Sequence, residues 1–231
     1  MNTIDCKVES ITPLTETVYQ ILLKTPEPVD YEAGQYLNVV MSADDKRPFS
    51  IASSPGGAQI ELQIGAFAAD SWAMQVIDHM RQNDSVKIEI PLGNAQVRAN
   101  SPRPIILLAG GTGFSYVKSI LGDLVRRQVP QQVFLYWGLR DVSACYQLED
   151  TAKMVAQLPQ GSFIPVVETA NGSWQGEVGK VHQPLLDRFD DLSAYDIYMA
   201  GRFDMVGFLR NEFIEQGANV DHMYADAFAF L

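Results

Sequence analysis

The run Leu108-Ala109-Gly110-Gly111-Thr112-Gly113-Phe114-Ser115 holds the residues of this 231-residue chain best suited to chemistry. Glycines let a backbone come close to a phosphate. A helix opening here would add unpaired N–H groups and the positive end of its dipole. The run follows an apolar stretch, Ile105–Ala109, that reads as a strand, and ligands bind at the carboxyl ends of parallel strands. It is not the common dinucleotide fingerprint, because counting from Gly111 the third glycine position holds Tyr116. Nor is it a P-loop, since no Gly-Lys-Ser/Thr follows. A nucleotide phosphate is expected; a tight strand-to-helix turn without a ligand is the plainer alternative.

Four further segments carry useful side chains. In Lys46-Arg47-Pro48-Phe49-Ser50, an arginine offers a fork of donors to a phosphate or ring carbonyl, an aromatic can line a flat ligand, and a hydroxyl can donate to a ring nitrogen. An edge strand with a surface arginine would read the same way. Ala200-Gly201-Arg202-Phe203-Asp204-Met205 repeats the strand, glycine turn, helix logic. Tyr136-Trp137-Gly138-Leu139-Arg140 ends another strand, and Asp226-Ala227-Phe228-Ala229-Phe230-Leu231 is an apolar aromatic ending, either a packed tail or part of a ligand site. His79, His182 and His222 match no motif and read as surface or core residues. Asp44-Asp45 and Asp190-Asp191 read as solvated turns.

Two kinds of element must position these residues. In the first hundred residues Cys6–Ile11, Val18–Leu23, Tyr36–Val40, Phe49–Ala52, Ile60–Ile64 and Val86–Ile90 read as short strands between turn-forming segments. Six of them at this spacing suggest a small antiparallel barrel. One helix interrupts it, capped by Asp70 or Ser71, with Trp72, Ala73, Val76, Ile77 and Met80 on one face. Ser101-Pro102-Arg103-Pro104 cannot sit inside a central strand or helix, so a boundary is expected there, dividing 1–100 from 101–231. Beyond it strands (Ile105–Ala109, Val133–Gly138, Phe163–Val167, Ile197–Ala200) alternate with helices (Ser115–Val125, Leu148–Leu158, Val181–Phe189, Met205–Gln216). The last helix is read with Asp204 as its cap and Gly217 as its stop. Apolar strands alternating with helices imply a parallel sheet covered on both faces.

Composition narrows the function classes. With 47% hydrophobic and 19% charged residues the chain can bury a full core. The net charge of −11 argues against a nucleic-acid or anionic-membrane surface, though a few local donors can still hold an anionic ligand. Cys6 and Cys145 lie far apart, which excludes a disulfide framework, a cysteine zinc site and a cysteine-ligated iron–sulfur cluster; both read as small buried apolar residues, and no metal is expected. No apolar run approaches a membrane span, and Met1-Asn2-Thr3-Ile4-Asp5 does not read as a signal peptide, so a cytoplasmic location is expected.

In this order and spacing the five segments resemble the ferredoxin–NADP reductase superfamily, and more closely the bacterial NAD(P)H:flavin oxidoreductases that reduce free flavins. The resemblance covers essentially the whole chain. It implies a flavin-binding barrel followed by a nicotinamide-nucleotide α/β domain, and hydride transfer from nicotinamide C4 to flavin N5. NADH or NADPH would be the donor, with riboflavin, FMN or FAD a substrate rather than a bound prosthetic group. Reduced flavin would leave for a further acceptor. The flavin motif of the family falls on Arg47, Phe49 and Ser50, so Arg47, Pro48, Phe49 and Ser50 would line the ring, with the Ser50 hydroxyl as the catalytic group near N5. Ile64, Gly65 and Ala66 would sit at its edge, Thr112 and Ser115 would face it, and Phe228 or Phe230 would pack near it. The pyrophosphate loop falls on Gly110, Gly111, Thr112 and Gly113, followed by Phe114 and Ser115; the nicotinamide-side loop falls on Ala200, Gly201, Arg202 and Met205, and Arg140 is the adenosine-side candidate. Two departures stand out. Many superfamily members have Cys-Gly-Pro where this chain has Ala200-Gly201-Arg202, so no thiol stands there. Where FAD-retaining members grip the flavin phosphates, Gly65-Ala66-Phe67-Ala68-Ala69-Asp70-Ser71 offers no cation and adds a carboxylate. An FAD-bound electron-transfer component and a non-catalytic flavin- or nucleotide-binding module are the alternatives.

Overall fold

A computed structural model describes residues 1–230. The first half forms one antiparallel sheet from β1 (Asn2–Pro13), β2 (Val18–Lys24), β3 (Tyr36–Val40), β4 (Lys46–Ser50), β5 (Gln59–Gly65) and β6 (Ser85–Leu92), in the order β4-β3-β6-β1-β2-β5. Its edges approach each other just past β4, where the Ala52 N–H donates to the Glu61 carbonyl at 2.8 Å. The sheet thus curls round a core of Ile21, Leu23, Leu37, Val39, Leu62 and Ile88. Alternation along the strands supplies it, since successive side chains point to opposite faces. Helix α1 (Trp72–Gln82) plugs the barrel with Val76, Ile77 and Met80. Of the two expected caps the Ser71 hydroxyl does the work, accepting from the Met74 N–H at 3.1 Å. β4 covers Lys46–Ser50, so the chain leaves the strand two residues earlier than Phe49–Ala52 implied, and Ile51 turns into the core.

The second half is a six-stranded parallel sheet: β7 (Ile105–Gly110), β8 (Val133–Asp141), β9 (Gly161–Thr169), β10 (Glu177–Val178), β11 (Asp196–Ala200) and β12 (Met223–Tyr224), in the order β10-β9-β8-β7-β11-β12. Helices α2 (Phe114–Arg127), α3 (Leu148–Val155), α4 (Gln183–Arg188) and α5 (Phe203–Glu215) accompany it, and separate apolar cores fill its two faces. The chain runs outward from β7 through β10 on one side and returns to β11 on the other. The strand order therefore reverses between β7 and β11, and the crevice beyond their carboxyl ends is where such sheets bind ligands.

The α5 terminus differs from expectation. Arg202 is the residue before the first turn and makes no capping hydrogen bond, while Asp204 lies inside that turn. Asp204 complements the helix dipole but does not cap it. Gly217, with φ +88°, does provide the left-handed exit.

Candidate active site

Both glycine loops open onto the β7/β11 crevice. Ala109 pairs with Ala200 across the two strands, so the loops that follow start side by side. Gly111 has φ +55°, a conformation only glycine adopts without strain, and a β-carbon there would meet nothing within 4 Å. Its backbone is open to a ligand. Neither α2, entered through Gly113, nor α5, entered through Arg202, receives a side-chain hydrogen bond at its start. The crevice therefore faces two helix N-termini whose first N–H groups lack a capping side chain, a donor set that fits a pyrophosphate. At Gly110 a β-carbon would lie 2.5 Å from the Met205 sulfur, so Gly110 and the end of the Met205 side chain fit against each other, and a larger residue would displace that side chain.

The barrel supplies the opposite wall. Pro48, Phe49 and Ser50 of β4, Ile64 and Gly65 of β5, and Phe67 face Gly110–Gly113, Ala200–Met205 and Arg140 across one cleft of about 860 Å³. Thr112 and Gly65 meet at the seam, where a β-carbon on Gly65 would stand 3.1 Å from Thr112 Cγ2. Arg140, Lys180 and Arg202 give the nucleotide side a cationic rim. Arg140 lies 3.5 Å from the Asp141 carboxylate and Arg202 3.2 Å from that of Asp204, and both arginines are exposed.

Five of the expected site residues are placed elsewhere. Arg47 lies outside the cleft lining. Its fork is closed on Asp45, with Nε to Oδ1 at 2.8 Å and Nη2 to Oδ2 at 2.6 Å; Nη1 donates to the Trp72 carbonyl at 2.7 Å and Nη2 to Gln75 at 3.0 Å. Asp45 is thus a partner rather than a simple solvated turn, and the hydrogen bonds from Arg47 hold its carboxyl below the usual range. Ala66 is buried, its N–H donating to Thr17. Phe114 is fully buried and stacks on Trp137 at 3.7 Å. Phe228 packs against the core, and Phe230 stands at the rim, edge-on to Phe203 at 5.7 Å. Ser115 does reach the cleft, but its hydroxyl donates to the Gln63 carbonyl at 3.3 Å, across the seam.

Other residues complete the site. Trp137 props the glycine loop, its indole N–H donating to the Gly111 carbonyl at 3.0 Å. His182, which matched no motif, lies in the cleft wall beside Phe208, and burial holds its imidazole below the ordinary value. From the C-terminal segment it is Asp226 and Ala227, rather than the phenylalanines, that line the cleft.

Burial pushes the Asp226 carboxyl up to about 6. Since an unfolded aspartate titrates near 3.9, the folded protein holds this proton more tightly. The carboxylate costs nothing well below pH 4, and its cost grows until the pH passes 6. Asp226→Asn removes that cost. We expect the variant to be more stable at pH 8 by roughly 1–3 kcal/mol, with the gain shrinking as the pH falls from 6 toward 4. Melting curves at pH 8, 6.5 and 5 test this, and a gain independent of pH would contradict it.

Residues 107–211 match the oxidoreductase NAD-binding domain family. An NAD(P)H-flavin reductase of Vibrio harveyi is 45% identical over 236 aligned residues, covering 99% of this chain and 100% of that protein. The chain belongs to the NAD(P)H-flavin reductase family. A second member, from Aliivibrio fischeri, is 42% identical, with 99% of both chains covered. Among solved structures, the ferredoxin reductase in carbazole 1,9a-dioxygenase superposes with a TM-score of 0.86 at 23% identity, over 98% of this chain and 69% of that one. A ferredoxin NADP+ reductase from Neisseria gonorrhoeae with bound FAD and NADP superposes at 0.79 and 18% identity, over 94% and 92%. At those identities the likeness establishes the fold, a barrel-like antiparallel sheet followed by a parallel α/β sheet.

Proposed function

We propose that this chain reduces free flavins with NADH or NADPH and releases the reduced flavin to other acceptors. The observation that carries the reading is the single cleft in which two helix starts without side-chain caps face a flat, partly aromatic barrel wall. When bound, the nicotinamide supplies the hydride and the flavin ring accepts it; the protein supplies proximity and orientation. Gly110, Gly111 and Gly113 hold the pyrophosphate against the α2 start, and Ala200, Gly201 and Met205 shape the nicotinamide end. Pro48, Phe49, Ile64, Gly65 and Thr112 enclose the flavin, and the Ser50 hydroxyl is the polar catalytic group on that wall. In the same proposal residues 1–100 are the flavin side and 101–231 the nucleotide side. The cytoplasm is the proposed location; among the described residues no helix is long and apolar enough to cross a membrane.

The flavin is a substrate in this reading because nothing is built to grip its phosphate. The Ser71 hydroxyl already caps α1, and the nearby Arg47 donors are spent on Asp45, the Trp72 carbonyl and Gln75. Asp70 would add repulsion. Purified protein should be nearly colourless, and kcat/KM for riboflavin, FMN and FAD should agree within about tenfold, which corresponds to ~1.4 kcal/mol. Steady-state assays of all three flavins against NADH and NADPH check this. Both nicotinamides should serve, with Arg140→Ala weakening NADPH more than NADH. Stoichiometric FAD surviving desalting would favour a bound-flavin component instead, and absence of flavin-dependent NADH oxidation would refute the enzyme.

A further inference from the structure

Trp72 and Phe67 are large apolar side chains left 46% and 72% exposed, and both line the cleft. Neither is among the expected flavin contacts. We propose that together with Phe49 they form an aromatic clamp that holds the isoalloxazine ring of a free flavin, with Arg47 as the positioning residue behind it.

Three observations converge. The Phe67 ring folds back over Gly65, its Cε2 standing 3.1 Å from where a β-carbon would be, at the same distance as Thr112 Cγ2. Phe67 therefore sits at the seam where a flavin on the barrel wall must meet the nucleotide loop. Trp72 lies 5.3 Å from Phe49, centroid to centroid, with the rings 33° apart, so the two make a continuous aromatic surface beside Pro48 and Ser50. Trp72 is also fixed: Arg47 bonds its carbonyl and places its guanidinium 5.3 Å from the indole centroid, while Asp45 holds Arg47 from behind. Arginine thus orients the wall of the pocket without entering it. A ring-only grip suits a segment, Gly65–Ser71, that carries no cation for a phosphate. Flat aromatic faces against a flat ligand supply the contact area instead.

The assignment rests on the flavin reading, and equilibrium binding without NADH separates the two. Riboflavin, FMN and FAD are titrated by their own fluorescence with wild-type protein, Trp72→Ala, Trp72→Phe and Phe67→Ala. Each alanine variant should raise the Kd of all three flavins by roughly five- to twentyfold, equally among them, while KM for NADH stays within twofold. Trp72→Phe, which keeps an aromatic face, should remain within about threefold of wild type, and a loss as large as that of Trp72→Ala would overturn the clamp. Unchanged Kd values in both alanine variants, or a loss confined to FMN and FAD, would overturn the clamp while leaving the reductase intact. Wild-type protein that leaves flavin fluorescence unaltered would overturn the flavin reading, and the clamp with it.

Discussion

Replacing Ser50 by alanine should lower kcat by roughly ten- to a hundredfold, or ~1.4–2.7 kcal/mol, while flavin Kd changes much less. Ser50 ends β4 opposite Tyr36 and lines the cleft half-buried. Its hydroxyl makes no hydrogen bond among the described residues, so it is free to serve the reacting ligands rather than the fold. Alanine keeps the strand pairing and leaves the Pro48–Phe49 surface, the proposed ring contact, in place. A hydroxyl that acts only as charge shifts contributes to the transition state and little to the ground state. Single-turnover reduction of riboflavin alongside equilibrium binding measures both quantities. Turnover within twofold of wild type would remove Ser50 from the chemistry.

The second large effect lies across the cleft. Gly113→Ala should raise KM for NADH at least tenfold and destabilise the protein by roughly 1–3 kcal/mol, the usual cost of overpacking. A β-carbon at Gly113 would stand 2.8 Å from the Gly201 nitrogen and closer still to the Ala200 carbonyl. Both are backbone atoms, so no rotamer change relieves the clash. Ala109 and Ala200 are paired in the sheet just below, which stops the loops from drifting apart cheaply. The α2 start must tilt, and with it the N–H groups proposed to hold the pyrophosphate. Flavin Kd, set in the proposed reading on the barrel wall, should hold. An unchanged KM together with an unchanged melting temperature would mean that the two loops do not approach so closely.

Much of this was legible in the sequence because its causes are local. Ile105–Ala109 is apolar throughout, as a strand buried on both faces must be, and the glycines that follow announce a loop whose backbone is exposed for use. The alternation of strands and helices gives the parallel sheet. What the sequence hid depends on partners far along the chain, or on competition among near neighbours. Arg47 looked free, yet Asp45, two residues away, satisfies the fork that a ligand was expected to take. Phe114 looked like part of the loop but is buried against Trp137, twenty-three positions on. β10 and β12, two residues each, are too short to show any periodicity. His182 and Asp226 reach the cleft only because α4 and the C-terminal segment pass beside it, which no spacing rule encodes.

The connection between the two sheets bears on how the protein comes apart. The core beneath α2 does not stop at the expected boundary: Val18, Ala33, Ala95 and Val97 from the first half pack into it beside Phe114, Tyr116 and Ile120. The Tyr116 hydroxyl donates to the Ala95 carbonyl at 2.5 Å, Ser119 to that of Ser53 at 2.7 Å, and the Lys118 ammonium reaches Glu61 at 2.6 Å. All three donors lie on α2, so unfolding either half strips apolar cover and buried polar partners from the other. Such coupling predicts all-or-none unfolding. Scanning calorimetry should therefore record one endotherm, and two resolved transitions would refute the coupling. On this packing neither half is a separate unit of stability, and the two should stand or fall together.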